Sequence, residues 1–319
     1  MTNRVLGVFE KWVDCNPAFG PSPQASFFMG SLESLGVTEV DRFYYDETAL
    51  AHGGSADGSL LQRVVADPPD LLVYSPAANS PYLPAVQTLT TIRQKYGVKI
   101  AAIFPDIAIV ERAQYADAIY DSIELAITID SAPERVRVPR RDKFIHLWTP
   151  QDPRLFHPGP GPRDIEVSFL GTLENYPDRE AALAHLKANG IGVHVAGGMR
   201  QAAIPLEEYA DILRRSRIAL NFSQFFGGHP FHNVKGRVFE ILYSGAMLLE
   251  PVNPHMPAFF TAGRDYVAWD GLDDLLTKVR HYLADDTARD AIAAAGHARA
   301  TGEYSAARFW TAVFSRLAA

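Results

Sequence analysis

Apolar and polar positions along the chain follow two alternating patterns, one typical of buried strands and the other typical of helices. Short runs such as residues 71–74 and 100–104 are wholly apolar, and longer amphipathic stretches separate them. Apolar strands separated by helices indicate a parallel sheet that is covered on both faces. In the first half we predict strands over residues 4–9, 41–45, 70–75, 98–104, 125–130 and 144–148, and helices near residues 24–35, 59–66, 83–96 and 107–120.

The pattern breaks at residues 157–163, where three prolines and two glycines occur within seven residues. Such a stretch holds neither a helix nor a central strand, so we predict an interdomain linker there. The alanine-rich end, from about residue 287 to residue 317, is predicted to be helical with a break near residues 301–302. Between the linker and this end we predict strands over residues 165–170, 193–196, 218–222, 247–251 and 266–269, and helices over residues 179–189, 206–214, 235–244 and 272–284.

The two alternating halves predict an α/β fold with two tandem Rossmann-like domains and a deep cleft between them. We expect the first domain to cover residues 1–156 and the second to cover residues 157–299. Residues 300–319 are expected to form a C-terminal helix that packs back on the first domain.

Composition and charge narrow the class of protein. The chain carries 30 Lys and Arg against 37 Asp and Glu, a formal net charge of −7. This balance argues against a nucleic-acid partner, because dedicated nucleic-acid-binding proteins carry a basic surplus. The single cysteine, Cys15, excludes an internal disulfide framework. The apolar run at the start is too short for a signal peptide, and no stretch approaches the ~20 apolar residues that span a bilayer, so we expect a cytoplasmic protein without a transmembrane segment.

Several motifs of common enzyme chemistry are absent. The first predicted strand is not followed by Gly-x-Gly-x-x-Gly, and no Gly-x-x-x-x-Gly-Lys-Ser/Thr occurs, which argues against an ordinary dehydrogenase or P-loop enzyme. Gly-x-Ser-x-Gly, His-Glu-x-x-His and Asp-x-Asp are also absent. His229 and His232 have no evident third ligand nearby, so we predict no metal site and no cofactor.

The segment from residue 231 to residue 251 carries the most information. We predict that Asn233 caps a helix that ends near Gly245, with Lys235 and Arg237 in its first turn. Cations there oppose the helix dipole, and a bound phosphate or diphosphate explains their placement.

Glu240 lies one turn beyond Arg237, where its carboxylate can accept hydrogen bonds from the hydroxyls of a ribose. The alternative is an ordinary ion pair between Arg237 and Glu240 on a solvated helix face.

This segment resembles the nucleotide-binding helix of group-one glycosyltransferases with two Rossmann domains (the GT-B architecture), and within them the spore-maturation-protein (CgeB)-like branch. The shared element is Arg-x-Phe-Glu at residues 237–240, followed by a small-residue turn and an apolar strand. Residues 148–158, 167–172, 195–198 and 218–223 resemble, in order, the interdomain stretch, the phosphate-side loop, the strand end near the base and the strand before the donor helix.

The resemblance implies a glycosyltransferase that moves a sugar from a nucleotide-sugar donor to an acceptor hydroxyl, with retention of configuration and without a metal ion. It assigns the ribose to Glu240 and the diphosphate to Lys235 and Arg237. The remaining donor-site residues that it implies are Gly171, Thr172, Gly197, Gly198, Ser223 and Asn233.

One position departs from the family pattern. Many retaining members carry a glutamate eight residues before the ribose-binding one, and here that position is His232. A histidine can donate to a sugar hydroxyl or a phosphate, so we retain it as a candidate catalytic residue. The departure also keeps open the alternative of a noncatalytic protein that binds a nucleotide or glycan. A third hypothesis is a sugar-nucleotide epimerase or a phosphorylase on the same architecture.

The acceptor, which can be a glycan, protein, lipid or small molecule, is expected to face strand ends of the first domain. The candidates for polarising its hydroxyl are Asp106 and Asp130, each at the end of a predicted strand. The equally open alternative for each is a helix cap or turn residue. Further candidate acceptor contacts are Phe19, Gly20, Tyr74 and Ser75.

Overall fold

The computed structural model describes residues 4–36, 39–77, 80–129, 140–198, 203–224 and 232–318. The chain divides into two compact units, the first formed by residues 1–152 and 306–319 and the second by residues 153–305. The division therefore falls a few residues before the predicted linker at residues 157–163, and the chain returns to the first unit at its end. Among the described residues, no helix is long and apolar enough to cross a membrane.

The first unit is built on a six-stranded parallel sheet with the order β2-β1-β3-β4-β5-β6. Its strands are β1 (Arg4–Phe9), β2 (Glu39–Tyr44), β3 (Leu71–Tyr74), β4 (Lys99–Phe104), β5 (Leu125–Thr128) and β6 (Phe144–His146). Its helices are α1 (Ser31–Glu33), which continues a π-helical turn at Ser26–Gly30, α2 (Tyr45–His52), α3 (Asp57–Ala66), α4 (Val86–Tyr96), α5 (Val110–Ala118) and α11 (Ala306–Ala318).

Alternate residues of these strands pack into two separate hydrophobic cores, and this explains why the strands are apolar on both faces. On β1, Leu6 and Val8 pack in a core with α3, α4 and α5, whereas Val5 and Phe9 pack in a core with α1 and α11. The indole N–H of Trp310 in α11 donates to Oγ of Ser31 at 3.0 Å.

The second unit is built on a five-stranded parallel sheet with the order β11-β10-β9-β7-β8. Its strands are β7 (Ile165–Leu170), β8 (His194–Ala196), β9 (Ser216–Leu220), β10 (Met247–Pro251) and β11 (Val267–Trp269). Its helices are α6 (Pro177–Ala188), α7 (Leu206–Arg215), α8 (Gly236–Tyr243), α9 (Leu272–Ala284) and α10 (Asp286–Glu303).

The predicted strands and helices occur in the predicted order, and the corrections concern the ends of some elements and one further helix. Helix α2 was not predicted, because its pattern of exposed and buried positions lacks a clear apolar stripe. Helix α5 begins at Val110 rather than near residue 107, because Asp106 has a positive φ of 53° and starts a turn. The predicted break at residues 301–302 lies slightly later, since α10 runs to Glu303.

Candidate functional site

Helix α8 begins later than the sequence predicts, and Asn233 is not its cap. Lys235 occupies the cap position in an extended conformation, and its side chain makes no capping hydrogen bond. The chain before it is still extended, because His232 pairs with Gln224 in an isolated antiparallel bridge. Asn233 is buried within this pairing and donates its backbone N–H to the carbonyl of Ser223 at 3.0 Å.

Arg237, in the first turn of α8, places its guanidinium where the connections of the second sheet change direction. That point lies between the carboxyl ends of β7 and β9, where open α/β sheets bind ligands. Nη1 of Arg237 donates to Oδ1 of Asn221, just after β9, at 3.1 Å. On the β7 side, a Cβ at Gly171 would lie 2.5 Å from Nη2 of Arg237. Gly171, with a φ of 152°, is therefore needed both for its backbone conformation and for the space that Arg237 fills.

Glu240, one turn further along α8, is only 5% exposed. Its Oε2 accepts a hydrogen bond of 2.5 Å from the hydroxyl of Tyr209 in α7, and Nε of Arg237 donates to that same hydroxyl at 3.4 Å. The alternative of an ion pair on a solvated face is therefore wrong. Burial raises the pKa of Glu240, against the opposing effects of Arg237 and Tyr209.

The charge on Arg237 persists despite its surroundings. Burial disfavours the charged form, but Tyr209 and Glu240 outweigh it and hold the pKa of Arg237 above its ordinary value. This site therefore keeps a fixed cation next to a buried carboxylate.

A second arginine, Arg179 in α6, lies close to the first. It is 3% exposed, its guanidinium lies 3.4 Å from the centroid of the Tyr176 ring, and its Nη1 donates to the carbonyl of Thr172 at 2.5 Å. Burial, and after it the positive charge of Arg237, lower the pKa of Arg179 to about 10. Its Nε is buried without a hydrogen-bond partner among the described residues. A buried and a half-buried cation that repel each other create a position that favours an anion.

Lys235 adds a third cation on the same side. Its Nζ donates to the carbonyl of Gln224 at 2.8 Å and lies 5.7 Å from the centroid of the Tyr176 ring. It therefore shares an aromatic neighbour with Arg179.

A buried carboxylate, that of Glu250, is connected to Arg237 through Asn221. Glu250, in β10, has no exposed surface, and its Oε2 accepts from Nδ2 of Asn221 at 2.6 Å. Nδ2 of Asn253 donates to Oε1 at 3.3 Å. Burial raises the pKa of Glu250 to about 7, while the amides of Asn221 and Asn253 act in the opposite direction. Asn221 thus links Glu250 to Arg237.

The remaining predicted residues of the second unit lie around the same strand ends. Gly197 and Gly198 follow β8 with φ values of 74° and 121°, and a Cβ at Gly197 would lie 3.5 Å from the backbone nitrogen of Gly171. Oγ of Ser223 and Nδ1 of His232 are 2.8 Å apart. Burial, together with His255 and Lys235, lowers the pKa of His232, so its ring is neutral at pH 7.

The predicted residues of the first unit have different surroundings. Tyr74 is fully buried and shares a 2.8 Å hydroxyl contact with Tyr115, so the structure places it in the core rather than at a surface that an acceptor reaches. Ser75 is 1% exposed, while Phe19 and Gly20 are half-buried in the loop after β1.

The two candidate acids also differ. Asp106 follows β4, and its carboxylate accepts a hydrogen bond of 3.2 Å from Nη1 of Arg112. Asp130 lies outside the described residues. The catalytic roles of both residues stay predictions.

Sequence reasoning missed Arg179, Tyr209, Asn221 and Glu250. Glu250 had a usable signal, because it is the one charged residue in the otherwise apolar strand β10. Tyr209 and Asn221 had none, since a tyrosine in an amphipathic helix and an asparagine after a strand are common. Among the described residues, no group of three or more His, Cys, Asp or Glu side chains is arranged to hold a metal ion.

Residues 179–315 match a family model described as glycosyl transferase-like. A sequence search of curated proteins finds no significant match. Among solved structures, the chain is similar to HepE from Anabaena in complex with UDP and glucose, with 11% identity, 99% of each chain covered and a TM-score of 0.66.

Two further structures are similar over the whole chain. Sucrose-phosphate synthase from Thermosynechococcus elongatus has 10% identity, 99% coverage of each chain and a TM-score of 0.64. An α-glucosyltransferase in complex with UDP and a 13-mer DNA containing an HMU base has 9% identity, 100% coverage of each chain and a TM-score of 0.64.

At sequence identities this low, the structural similarity establishes the fold alone. That fold is the one of GT-B glycosyltransferases, as predicted. The family match adds the class of enzyme for residues 179–315, which run from α6 in the second unit into α11 in the first. The spore-maturation-protein-like branch stays a prediction. The chain thus has the GT-B fold, is glycosyl transferase-like over residues 179–315, and is an enzyme of the glycosyltransferase class.

Proposed function

We propose that this glycosyltransferase takes a hexose from a UDP-sugar and transfers it to an acceptor hydroxyl, with no metal ion and with retention of the anomeric configuration. The second unit binds the donor at the carboxyl ends of β7 and β9. Two similar structures, HepE and the α-glucosyltransferase, contain UDP, which supports uracil as the base of the donor.

The observation that carries this proposal is a pair of neighbouring arginines, of which Arg179 is buried and Arg237 is half-buried. Arg237 and Arg179 lie close enough for one charge to lower the pKa of the other. Burying two like charges is costly unless an anion compensates them. A diphosphate bound between the ends of β7 and β9 provides that compensation, and Lys235 extends the cationic surface.

Glu240 binds the ribose of the donor. Its carboxylate is fixed by the hydroxyl of Tyr209, so its orientation does not have to be set at the moment of binding. A carboxylate accepts hydrogen bonds from both ribose hydroxyls, and charge-assisted hydrogen bonds are the stronger kind.

Catalysis then requires a good leaving group and a fixed geometry. As the bond between the anomeric carbon and the diphosphate oxygen breaks, negative charge grows on the diphosphate, and Arg237, Arg179 and Lys235 stabilise it. Preorganised cations in a buried site contribute much of such a rate enhancement. Side-chain cations thereby take the part that a metal ion plays in other transferases, and retention is inferred from the resemblance of residues 231–251 to the family.

His232 contacts the transferred sugar in this arrangement. Its Nδ1 is engaged with Oγ of Ser223, which leaves Nε2 to face a ligand. A neutral imidazole can donate to or accept from a sugar hydroxyl.

Calorimetric titration with UDP tests the donor site. We expect Arg237→Ala and Glu240→Ala each to weaken UDP binding by at least about tenfold, because each loses a charge-assisted hydrogen bond. Arg215→Ala is the matched control, since Arg215 is an exposed arginine paired with Asp164. Unchanged UDP affinity in a folded Glu240→Ala variant would contradict the ribose assignment.

Incubation with UDP-sugars separates the alternatives. A transferase releases UDP faster when an acceptor is present, an epimerase converts one UDP-sugar to another, and a noncatalytic binding protein does neither. Proton NMR of the product's anomeric signal reports retention or inversion.

A further inference from the structure

The second unit has a cavity of about 490 Å³ at the end of its sheet opposite the proposed donor site. The donor site lies at the switch point of this sheet, where the chain connections change direction beyond the carboxyl ends of β7 and β9. The cavity lies at the amino ends of the strands, because it is lined by Arg163 just before β7, Arg217 in the second position of β9, and Gly245 just before β10. Cavities of this volume hold small molecules. The two sites are therefore separated by the length of the strands.

Helix α10 forms one wall of the cavity. Its lining residues recur every three or four positions and so form a single stripe along the helix. The stripe consists of Asp286, Arg289, Asp290, Ala293, Ala294 and His297. Pro158 and Pro162, from the stretch predicted as a linker, also line the cavity. Its lining thus combines an apolar surface with a few charged groups, as small-molecule sites do.

The two carboxylates of this wall are already compensated. Nε of Arg289 donates to Oδ1 of Asp290 at 2.9 Å, and Nη1 of Arg289 forms an ion pair with Asp286. The side chain of Arg289 is almost wholly buried, which holds both pairs in place. The charges of the two carboxylates are therefore directed at Arg289 rather than at the other arginines of the cavity.

Arg217 has hydrogen-bonding capacity that the protein does not use. It is half-buried in β9, the central strand of the sheet, and the other residues of that strand are buried. Its Nε donates to the carbonyl of Arg163 at 2.9 Å, and within the described ranges its side chain makes no other hydrogen bond or ion pair. Both Nη groups are left for a ligand. A guanidinium edge binds a phosphate through two parallel hydrogen bonds.

Arg163 adds a second positive charge to the cavity. Its Nη1 donates to the carbonyls of Arg214 and Ser216 at 2.8 and 2.7 Å, and its Nη2 donates to that of Ser244 at 2.9 Å. These carbonyls fix the guanidinium at the ends of α7 and α8 without supplying a full negative charge. Burial lowers the pKa of Arg163 even though Asp290 acts in the opposite direction, so its charge is incompletely compensated.

The α10 wall supplies acceptors for hydroxyl groups. Nδ1 of His297 lies 3.1 Å from the carbonyl of Leu242, so in the neutral ring Nδ1 carries the proton and Nε2 is an acceptor. Asp286 and Asp290 are exposed, and Arg289 binds one oxygen of each. Their other oxygens can accept hydrogen bonds from a ligand.

We propose that this cavity binds a small organic phosphate that carries free hydroxyl groups. Its phosphate lies against Arg217 and Arg163, because a group with nearly two negative charges matches two guanidinium groups that form no ion pair in the described part of the chain. Its hydroxyls donate to the acceptors on α10. A cationic ligand is disfavoured by three arginines against two aspartates, and a neutral ligand leaves the charge of Arg217 uncompensated. This inference is independent of the proposed transfer reaction.

Calorimetric titration with glycerol 3-phosphate and with ribose 5-phosphate tests the cavity, and glycerol and ribose are the uncharged comparisons. The titrations are made in saturating UDP and are repeated without UDP on Arg237→Ala, so that phosphate held at the donor site does not contribute. We expect at least one phosphate to bind, and its uncharged counterpart to bind at least about tenfold more weakly.

Arg217→Gln should weaken phosphate binding by at least about tenfold, because it removes charge-assisted hydrogen bonds. Arg280→Gln is the matched control, since Arg280 is exposed and likewise donates to one backbone carbonyl, that of Asn189. Ala294→Trp fills the cavity without removing a charge and should also weaken binding. Ala291→Trp, at an exposed position of α10 outside the lining, should not.

Circular dichroism checks that each variant folds. The proposal fails if neither phosphate binds, if the uncharged compounds bind as tightly as the phosphates, or if folded Arg217→Gln or Ala294→Trp binds phosphate like the wild type. UDP titration of the same samples keeps the two proposals apart, because intact UDP binding without organic-phosphate binding overturns this one alone.

Discussion

At the scale of single residues, the second unit places a carboxylate where water cannot reach it. Glu250 accepts hydrogen bonds from the amides of Asn221 and Asn253, and Ser223 and Lys235 also favour its charged form, but burial outweighs them all. Glu250 therefore retains its proton to higher pH than a solvated carboxyl does.

This raised pKa predicts a pH dependence of stability. The folded protein holds the Glu250 proton up to about pH 7, whereas the unfolded chain releases it near its ordinary value of 4.5. The stabilisation is therefore complete below pH 4.5 and is lost as the pH rises through 7. Burial also raises the pKa of Glu10 to about 7, so Glu10 contributes a similar loss in both proteins. Between pH 5 and pH 8, the loss of stability measured by urea denaturation should therefore be about 2–3 kcal/mol smaller in Glu250→Gln than in the wild type.

The control is Glu166→Gln, which changes an exposed glutamate in β7. It should retain the wild-type pH dependence. Equal pH dependence in Glu250→Gln and wild type would mean that Glu250 is ionised across this range.

At the scale of elements, the β7 loop and α8 depend on each other. Gly171 has the positive φ and the missing Cβ that allow the guanidinium of Arg237 to lie against the backbone. The small residue and the cation come from segments more than sixty residues apart, so the contact forms only in the fold.

Gly171→Ala tests this dependence. The new Cβ would lie 2.5 Å from Nη2 and 2.9 Å from Cζ of Arg237, so the guanidinium must move away from the end of β7. The positive φ adds about 1–3 kcal/mol of strain. We expect UDP affinity to fall at least about tenfold and the melting temperature to decrease.

Gly192→Ala provides the comparison, because Gly192 has no positive φ and nothing within 4 Å of an added Cβ. A Gly171→Ala variant that binds UDP as tightly as Gly192→Ala would argue against the position assigned to Arg237.

The elements themselves were largely predictable, because buried parallel strands are apolar on both faces and residues 4–9 or 247–251 display that pattern directly. Predictions from local residue preferences were wrong where pairing with another segment of the chain determines the backbone conformation. Asn233 is a favoured capping residue, yet the bridge between Gln224 and His232 keeps the chain extended until Lys235. The site was predictable along α8 and at the glycines after β7 and β8, whereas Tyr209 and Asn221, which reach it from other elements, were not.

At the scale of the whole molecule, the net charge of −7 says little about the ligands. Each sheet instead has a charged group at its switch point, the half-buried Arg237 in the second unit and the buried Glu10 in the first. The two charges are opposite in sign, and the positive one suits the anionic donor proposed for the second unit.

The first unit needs the end of the chain for its core. Phe309 and Trp310 in α11 are fully buried, in the same core as Phe28 and Met29. We expect Trp310→Ala to lower the unfolding free energy by about 3–5 kcal/mol, because it leaves a large cavity and removes the donor to Ser31. Hydrogen exchange should accelerate in residues 4–9 and 26–33 but not in residues 165–170.

Thr311→Ala, on the exposed face of the same helix, should leave exchange unchanged. Equal acceleration in both units after Trp310→Ala would mean that they unfold together.

The return of α11 to the first unit has a consequence for protein engineering. The second unit, residues 153–305, is an insertion within the first rather than a C-terminal half. A chimaera that exchanges donor specificity between enzymes of this architecture therefore needs two junctions, one near Asp152 and one near Ser305. A single crossover would combine the sheet of one parent with the closing helix of the other and leave Phe28 and Ser31 facing a foreign partner.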